Sequence, residues 1–139
     1  MRRLALLTVT ILLTATTAFA HHSYGEYDQD HPVSISGTIQ SLVIGSPHSV
    51  MRVRTADNVI YTLVWGNAAQ LARWGVKPGT LHAGDRIVVT GAEMRDRSFH
   101  TMSLISEIRR PADGWRWTRA TGPLPSTAPT ARESAPVHR

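Results

Sequence analysis

The chain predicts an all-β fold: a small five-stranded OB-like barrel with one short helix and a disordered, proline-rich C-terminal tail. Three observations carry that expectation. Apolar and polar residues alternate with period two through much of residues 33–110. The elements run three strands, a short helix, then two strands, which is the order of a five-stranded OB-type barrel. Gly37 stands in the middle of the first strand, where closing so small a barrel demands a bend. An open antiparallel sheet or a half-sandwich fits the same order.

The first strand begins after Pro32. Val33, Ile35 and Ile39 share one face, while Ser34, Ser36, Thr38 and Gln40 share the other. The phase changes near Ser41, turning Leu42 and Ile44 the other way, and Gly45-Ser46-Pro47-His48 reads as a turn. Met51 and Val53 alternate with Arg52 and Arg54 in a second strand, and Ala56-Asp57-Asn58 connects it tightly to a third. Val59 to Trp65 is apolar on both faces, as in a strand covered on each side. Asn67 is placed to cap a short helix containing Ala68, Leu71 and Ala72. Gly75, Pro78, Gly79 and Gly84 mark an irregular connection to a fourth strand over about Asp85–Gly91. A fifth is expected over about Ser98–Ile108.

Composition divides the chain into four parts. Residues 1–20 read as a signal peptide: Arg2 and Arg3, an apolar run from Leu4 to Leu13, and Ala18-Phe19-Ala20 as an A-x-A cleavage pattern. The run is too short to span a bilayer comfortably, so no transmembrane segment is expected after cleavage, and the mature protein is expected in the periplasm or secreted. Residues 21–32 form a polar segment and residues 33–110 the β domain. Residues 111–139, with five of the eight prolines, are expected to be disordered. Truncation after Arg110 is then expected to leave the domain folded, with Trp115 or Trp117 at most packing back onto it.

Charge narrows the partners. The net charge of +5 includes Arg2 and Arg3, and the six arginines from Arg109 onward face only Asp113 and Glu133. Residues 21–108 carry about −1 with histidine neutral, which is not the footprint a phosphate backbone requires, so nucleic acid is not an expected partner. The absence of cysteine excludes disulfides, thiolate zinc sites and iron–sulfur clusters.

The candidate chemistry sits at the junction after Ala20. Cleavage there starts the mature chain at His21-His22-Ser23, and a free α-amine beside the His21 imidazole can chelate a metal ion. A third nitrogen completes a T-shaped set suited to copper, an analogy of chemistry with the histidine brace. His48, in its proline turn, is the candidate third ligand. His22 is the local alternative, through its deprotonated backbone amide. Glu26, Asp28 and Asp30 are candidate outer-shell acceptors. The competing explanation makes His21 and His22 a solvated terminus and gives His48 a backbone carbonyl to fix its turn. His31 reads as a solvated linker residue, His82 as loop, His138 as tail, and His100 as a strand residue of undecided face.

Catalysis is not expected. Asp96, Ser98 and His100 are too close in sequence for a conventional triad, there is no glycine-rich phosphate loop and no H-E-x-x-H, and nothing in the sequence around Glu93 and Glu107 argues for a glycosidase-type carboxylate pair. The expected function is small-ligand binding, with copper as the ion. The alternative is a metal-independent adaptor that holds an envelope protein through a barrel face or Trp115–Trp117, and a copper oxygenase is a third reading.

Over about residues 1–110 the chain resembles a family of small exported Gram-negative proteins of unknown function. The shared features are a mature HHS start (His21-His22-Ser23), a following Tyr27-Asp28, the strand Pro32-Val33-Ser34-Ile35-Ser36-Gly37-Thr38-Ile39, and an N-P-H turn, here Ser46-Pro47-His48. A late P-G-D is split across Pro78-Gly79 and Gly84-Asp85. Ser46 replaces the usual asparagine, and Ile44-Gly45 stands where a tryptophan usually precedes the turn. The resemblance implies export and a small β domain, and no established activity.

Overall fold

The structure is a computed structural model that describes residues 24–124. The strands are β1 (Val33–Val43), β2 (Ser49–Thr55), β3 (Ile60–Trp65), β4 (Arg86–Glu93), β5 (Thr101–Arg110), β6 (Trp115–Thr118) and β7 (Gly122–Leu124), with helix α1 (Ala68–Arg73) between β3 and β4. They hydrogen-bond in the order β3-β2-β1-β4-β5-β6-β7, and a parallel pairing of β3 with β5 closes the first five into a barrel. The OB-like barrel is therefore closed, and the open sheet and half-sandwich fall away. Among the described residues no helix is long and apolar enough to cross a membrane.

β1 is the bent strand that closure needs. Its first half pairs with β4 and its second with β2, and Gly37 pairs with both, opposite Ile87 and Thr55. A Cβ on Gly37 would run into the Arg54 carbonyl oxygen and lie 2.6 Å from Val53 Cγ1. The register then slips between Ile39 and Ser41. A one-residue slip exchanges the faces of a strand. That is why Leu42 and Ile44 join Val33, Ile35 and Ile39 against one core.

Met51, Val53, Leu63, Ile87, Val89, Met102, Ile105 and Ile108 fill the barrel. Leu71 of α1, with Val76 and Leu81 from the connection that follows, extends the same core. The helix starts where Asn67 predicts it: Gln70 N–H donates to Asn67 Oδ1 at 2.9 Å, and Asn67 N–H donates to Gln70 Oε1 at 3.0 Å. This reciprocal capping box satisfies two donors that a six-residue helix would otherwise leave open.

Two expectations need correction. The fifth strand starts at Thr101, not near Ser98, because Asp96 caps a 3-10 turn over Arg97–Phe99 and His100 leaves it in the left-handed region at φ 44°. The tail boundary also moves. Residues 111–124 are not disordered: β6 pairs with the second half of β5, and β7 pairs with β6. Trp117 is fully buried and Trp115 nearly so. Burying an indole removes on the order of 200 Å² from water, about 5 kcal/mol at 25 cal/mol per Å², which outweighs the proline-rich composition. A cut after Arg110 would open the core, contrary to the expectation from composition.

Arg110 anchors the chain's entry into β6. Its Nη1 donates to the Thr80 carbonyl at 2.9 Å and to Asp85 Oδ2 at 2.8 Å, its Nη2 donates to Asp113 Oδ2 at 2.8 Å, and its guanidinium lies 5.6 Å from the Trp115 ring centroid. The Arg110 hydrogen bond holds the Asp113 carboxyl below the usual range. Burial works against the Asp85 charge, but the His82 backbone N–H and Arg110 outweigh it and lower that carboxyl too.

Candidate functional site: a cleft at the barrel seam

The closing seam is short. β3 and β5 pair at Thr62 with Thr101 and Leu63 with Met102, and the ladder stops there. Beyond it, Val64 and Trp65 on one side and Ser103, Leu104 and Ile105 on the other line a cleft of about 500 Å³. β5 is irregular at this point. Thr90 pairs with Glu107 but Ala92 with Ser103, so Gly91 alone faces three residues of β5, an excess of two. Leu104 within that bulge sits at φ 50°. A leucine in this region costs about 1–2 kcal/mol. Only glycine fits at position 91, where a Cβ would lie 2.8 Å from the Ser103 carbonyl oxygen and 2.9 Å from Ile105 Cδ1.

His48 reaches the cleft through the β1–β2 turn. Ala68 N–H donates to the Gly45 carbonyl at 2.8 Å, Ser49 N–H donates to the Gly66 carbonyl at 3.2 Å, and Gly45 N–H donates to Ser49 Oγ at 3.3 Å. These bonds tie the turn, whose Ser46–Pro47 peptide is cis, to the corner between β3 and α1. Pro47 and His48 therefore line the cleft beside Asn67 and Gln70.

The N-terminal segment contributes the opposite wall. Asp28 N–H donates to the Glu93 carbonyl at 2.8 Å and Arg95 N–H to the Glu26 carbonyl at 2.9 Å, which holds the 3-10 turn Tyr24–Glu26 and Tyr27 against the end of β4. Tyr24, Glu26 and Tyr27 line the same cleft as His48. Burial, with smaller contributions from Glu26 and Tyr24, pushes the Tyr27 phenol up, so it stays a neutral donor.

Of the three candidate metal ligands, His48 is placed in the cleft, while His21 and His22 lie outside the described residues. Among the described residues no group of three or more histidine and acidic side chains is arranged to hold a metal ion. Glu26 faces the cleft, but Asp28 accepts from His31 Nδ1 at 3.2 Å, and that hydrogen bond lowers its carboxyl. His31 is exposed, as a linker residue should be. His100 packs its ring 5.3 Å from that of Tyr61, with Nδ1 buried and without a hydrogen-bond partner among the described residues. Glu93 is buried but accepts from Tyr61 Oη at 3.2 Å and lies 3.6 Å from Arg97 Nε, while Glu107 pairs with Arg109 and Arg116. Both acids hold the fold together.

Sequence reasoning missed Trp65, Trp74 and Arg119 as cleft residues. Trp117 explains their arrangement. Its ring meets Trp65 edge-on at 5.0 Å and Trp74 at 5.8 Å, and its Nε1 donates to the Trp74 carbonyl at 3.2 Å. Arg119, two residues on, lies 5.5 Å from the Trp74 ring centroid. The signal was the alternation Trp115-Arg116-Trp117-Thr118, a strand pattern inside a segment whose prolines suggested disorder.

Among solved structures the chain is similar to the ZRD-deleted mutant of TiaS in complex with agmatine, at 13% identity and a TM-score of 0.47. That likeness covers 81% of this chain and 34% of the other, so the chain spans about a third of that protein's length. No curated protein matches it. A family model matches residues 9–103, from before the barrel to the start of β5, including the turn that carries His48 and most of the seam. The chain belongs to the family of unknown function DUF6152.

Proposed function

We propose that the protein is exported, loses residues 1–20, and binds copper through its new N-terminus at the mouth of the seam cleft. The His21 α-amine and imidazole supply two nitrogens and His48 the third, with His22 as the local alternative donor. The observation that supports this reading is that Tyr24 and His48 line one cleft. His21 lies three residues before Tyr24, and three residues span at most about 10 Å. A mature chain starting at His21 would therefore hold its terminus on a short tether from the cleft that His48 lines. Nitrogen donors in such a set suit copper, and each must be deprotonated to bind, so affinity falls as pH drops through the imidazole range.

The metal-independent adaptor reading loses one of its two surfaces, because Trp115 and Trp117 are buried and unavailable to a partner. The test is a Cu(II) titration of mature protein followed by d–d absorption and thermal shift, beside His48→Ala. A 1:1 complex that raises the melting temperature, weakened in His48→Ala, is the expected result. No d–d band and no thermal shift would overturn it.

A further inference from the structure

The outside of the barrel over β1, β2 and β4 carries cations without carboxylates. No acidic residue lies between Asp30 and Asp57, so β1 and β2 hold Arg52 and Arg54 and no acid. The one acid of β4, Glu93, is buried at the far end of that strand from Arg86. β1 pairs with both of its neighbours only at Gly37 and Thr38. Gly37 is buried, so the row that crosses three strands on the outside is Arg54–Thr38–Arg86. Neighbouring strands lie about 5 Å apart, which puts the two arginine backbones about 10 Å from each other. Arg52 stands on the same face as Arg54, one pleat along β2. Arg54 Nε donates to Gln40 Oε1 at 3.3 Å, and none of the three arginines is in an ion pair among the described residues.

This face ends in exposed aliphatic side chains. Val43, 65% exposed, pairs with Val50, 36% exposed, just beside the Gly45–His48 turn. The outward residues of β2 therefore read Val50, Arg52, Arg54, an apolar end followed by two cations. An anionic bilayer offers the same sequence in depth, hydrocarbon below and phosphate above, and an arginine stem can follow apolar surface while its head stays with the phosphates. A single-stranded nucleic acid would ask instead for aromatic side chains on which to stack its bases, and β1 and β2 contain none.

We infer that the outer face of the β1–β2 hairpin, with Arg86 of β4, docks on an anionic lipid surface, with Val43 and Val50 entering the acyl boundary and Arg52, Arg54 and Arg86 meeting lipid phosphates. The complementarity is of charge and of order, since cations without acids face phosphates and the exposed valines lie at the end that enters. None of the three arginines lines the seam cleft, so this docking goes beyond copper binding and does not depend on it.

The test is cosedimentation of chelator-treated protein with vesicles of phosphatidylcholine alone and of equal parts phosphatidylcholine and phosphatidylglycerol. Binding should favour the anionic vesicles and weaken as salt is raised, because exposed charges are screened. Arg52→Gln, Arg54→Gln and Arg86→Gln should each weaken it about fivefold, the worth of one basic residue at such a surface. Arg73→Gln and Lys77→Gln remove the same charge from exposed positions at and after α1 and should each change it less than about twofold. Val43→Ser should weaken vesicle binding about threefold or more and leave binding to soluble polyphosphate at the parent level. Equal binding to both vesicle types, equal losses in the α1 variants, or parent-like vesicle binding by Val43→Ser would each overturn the inference, the last assigning the face to a soluble polyanion. All the substituted side chains are exposed, and a parent-like melting temperature verifies folding. A failed copper titration leaves these outcomes untouched.

Discussion

The two sides of the barrel are built differently. On one side β1 runs as a continuous partner to β2 and β4, six residue pairs each, with Gly37 serving both ladders. On the other, β3 and β5 share two pairs and the rest of the closure is made by side chains: Trp117 wedged against Trp65 and Trp74, with β6 and β7 added outside β5. A ladder leaves no room between strands, whereas a seam filled by indoles leaves a cleft that Trp65, Trp74 and Arg119 line. The half of the barrel that is closed by backbone sets the fold. The half that is closed by side chains has the space for a ligand.

The largest expected effect comes from removing the wedge. Trp117→Ala should destabilise the protein by about 4 kcal/mol in urea denaturation, since it deletes a fully buried indole. A loss below about 1 kcal/mol would mean that the seam holds without it. Gly37→Val tests the ladder side and should cost about 3 kcal/mol, because the new side chain meets Arg54 backbone that two ladders fix in place. Parent-like stability in that variant would remove the bent-strand account.

Arg110→Ala should cost about 2 kcal/mol, because it strips charge-assisted hydrogen bonds from Asp85, Asp113 and the Thr80 carbonyl. Both carboxyls are depressed in the folded protein. Their stabilisation is therefore present above the unfolded carboxylate value of about 3.9 and is lost as pH falls through the lower folded values. Arg110→Ala should flatten that acid limb, and an unchanged limb would assign the acid sensitivity elsewhere. The smallest effect is expected from Arg116→Ala. Its bond to Glu107 is short, at 2.6 Å, but the arginine is half exposed, so less than about 1 kcal/mol should be lost.

The ladder side was legible in the sequence because its determinants are local. The alternation of Val33, Ile35 and Ile39, the phase change near Ser41 and the glycine at position 37 each act through nearest neighbours and the pleat of one strand. Asn67 and Gln70 likewise announce the helix they cap. The seam was not legible. Trp115, Trp117 and Arg119 belong to a segment whose arginines and prolines resemble a solvated tail, and only long-range packing onto Trp65 and Trp74 orders it. His48 was singled out from its proline turn, but its place in the cleft that Tyr24 also lines depends on the bonds from Ala68 and Ser49 that fold the turn against α1. That the Trp65 indole N–H finds no acceptor among the described residues has no sequence signature at all, since it depends on what surrounds the ring in the fold.

The measurement that bears most directly on the account is a Cu(II) affinity cycle on the mature protein, comparing the parent chain, one residue added before His21, His48→Ala, and both changes together. The added residue moves the free amine away from the His21 imidazole, and His48→Ala deletes the third nitrogen. If they share one ion, each change weakens binding to a similar extent, and the two together cost less than the sum of their separate losses. His100→Ala, at the opposite end of the short β3–β5 pairing, should match the parent. Unchanged copper affinity after the terminus is extended would contradict the account.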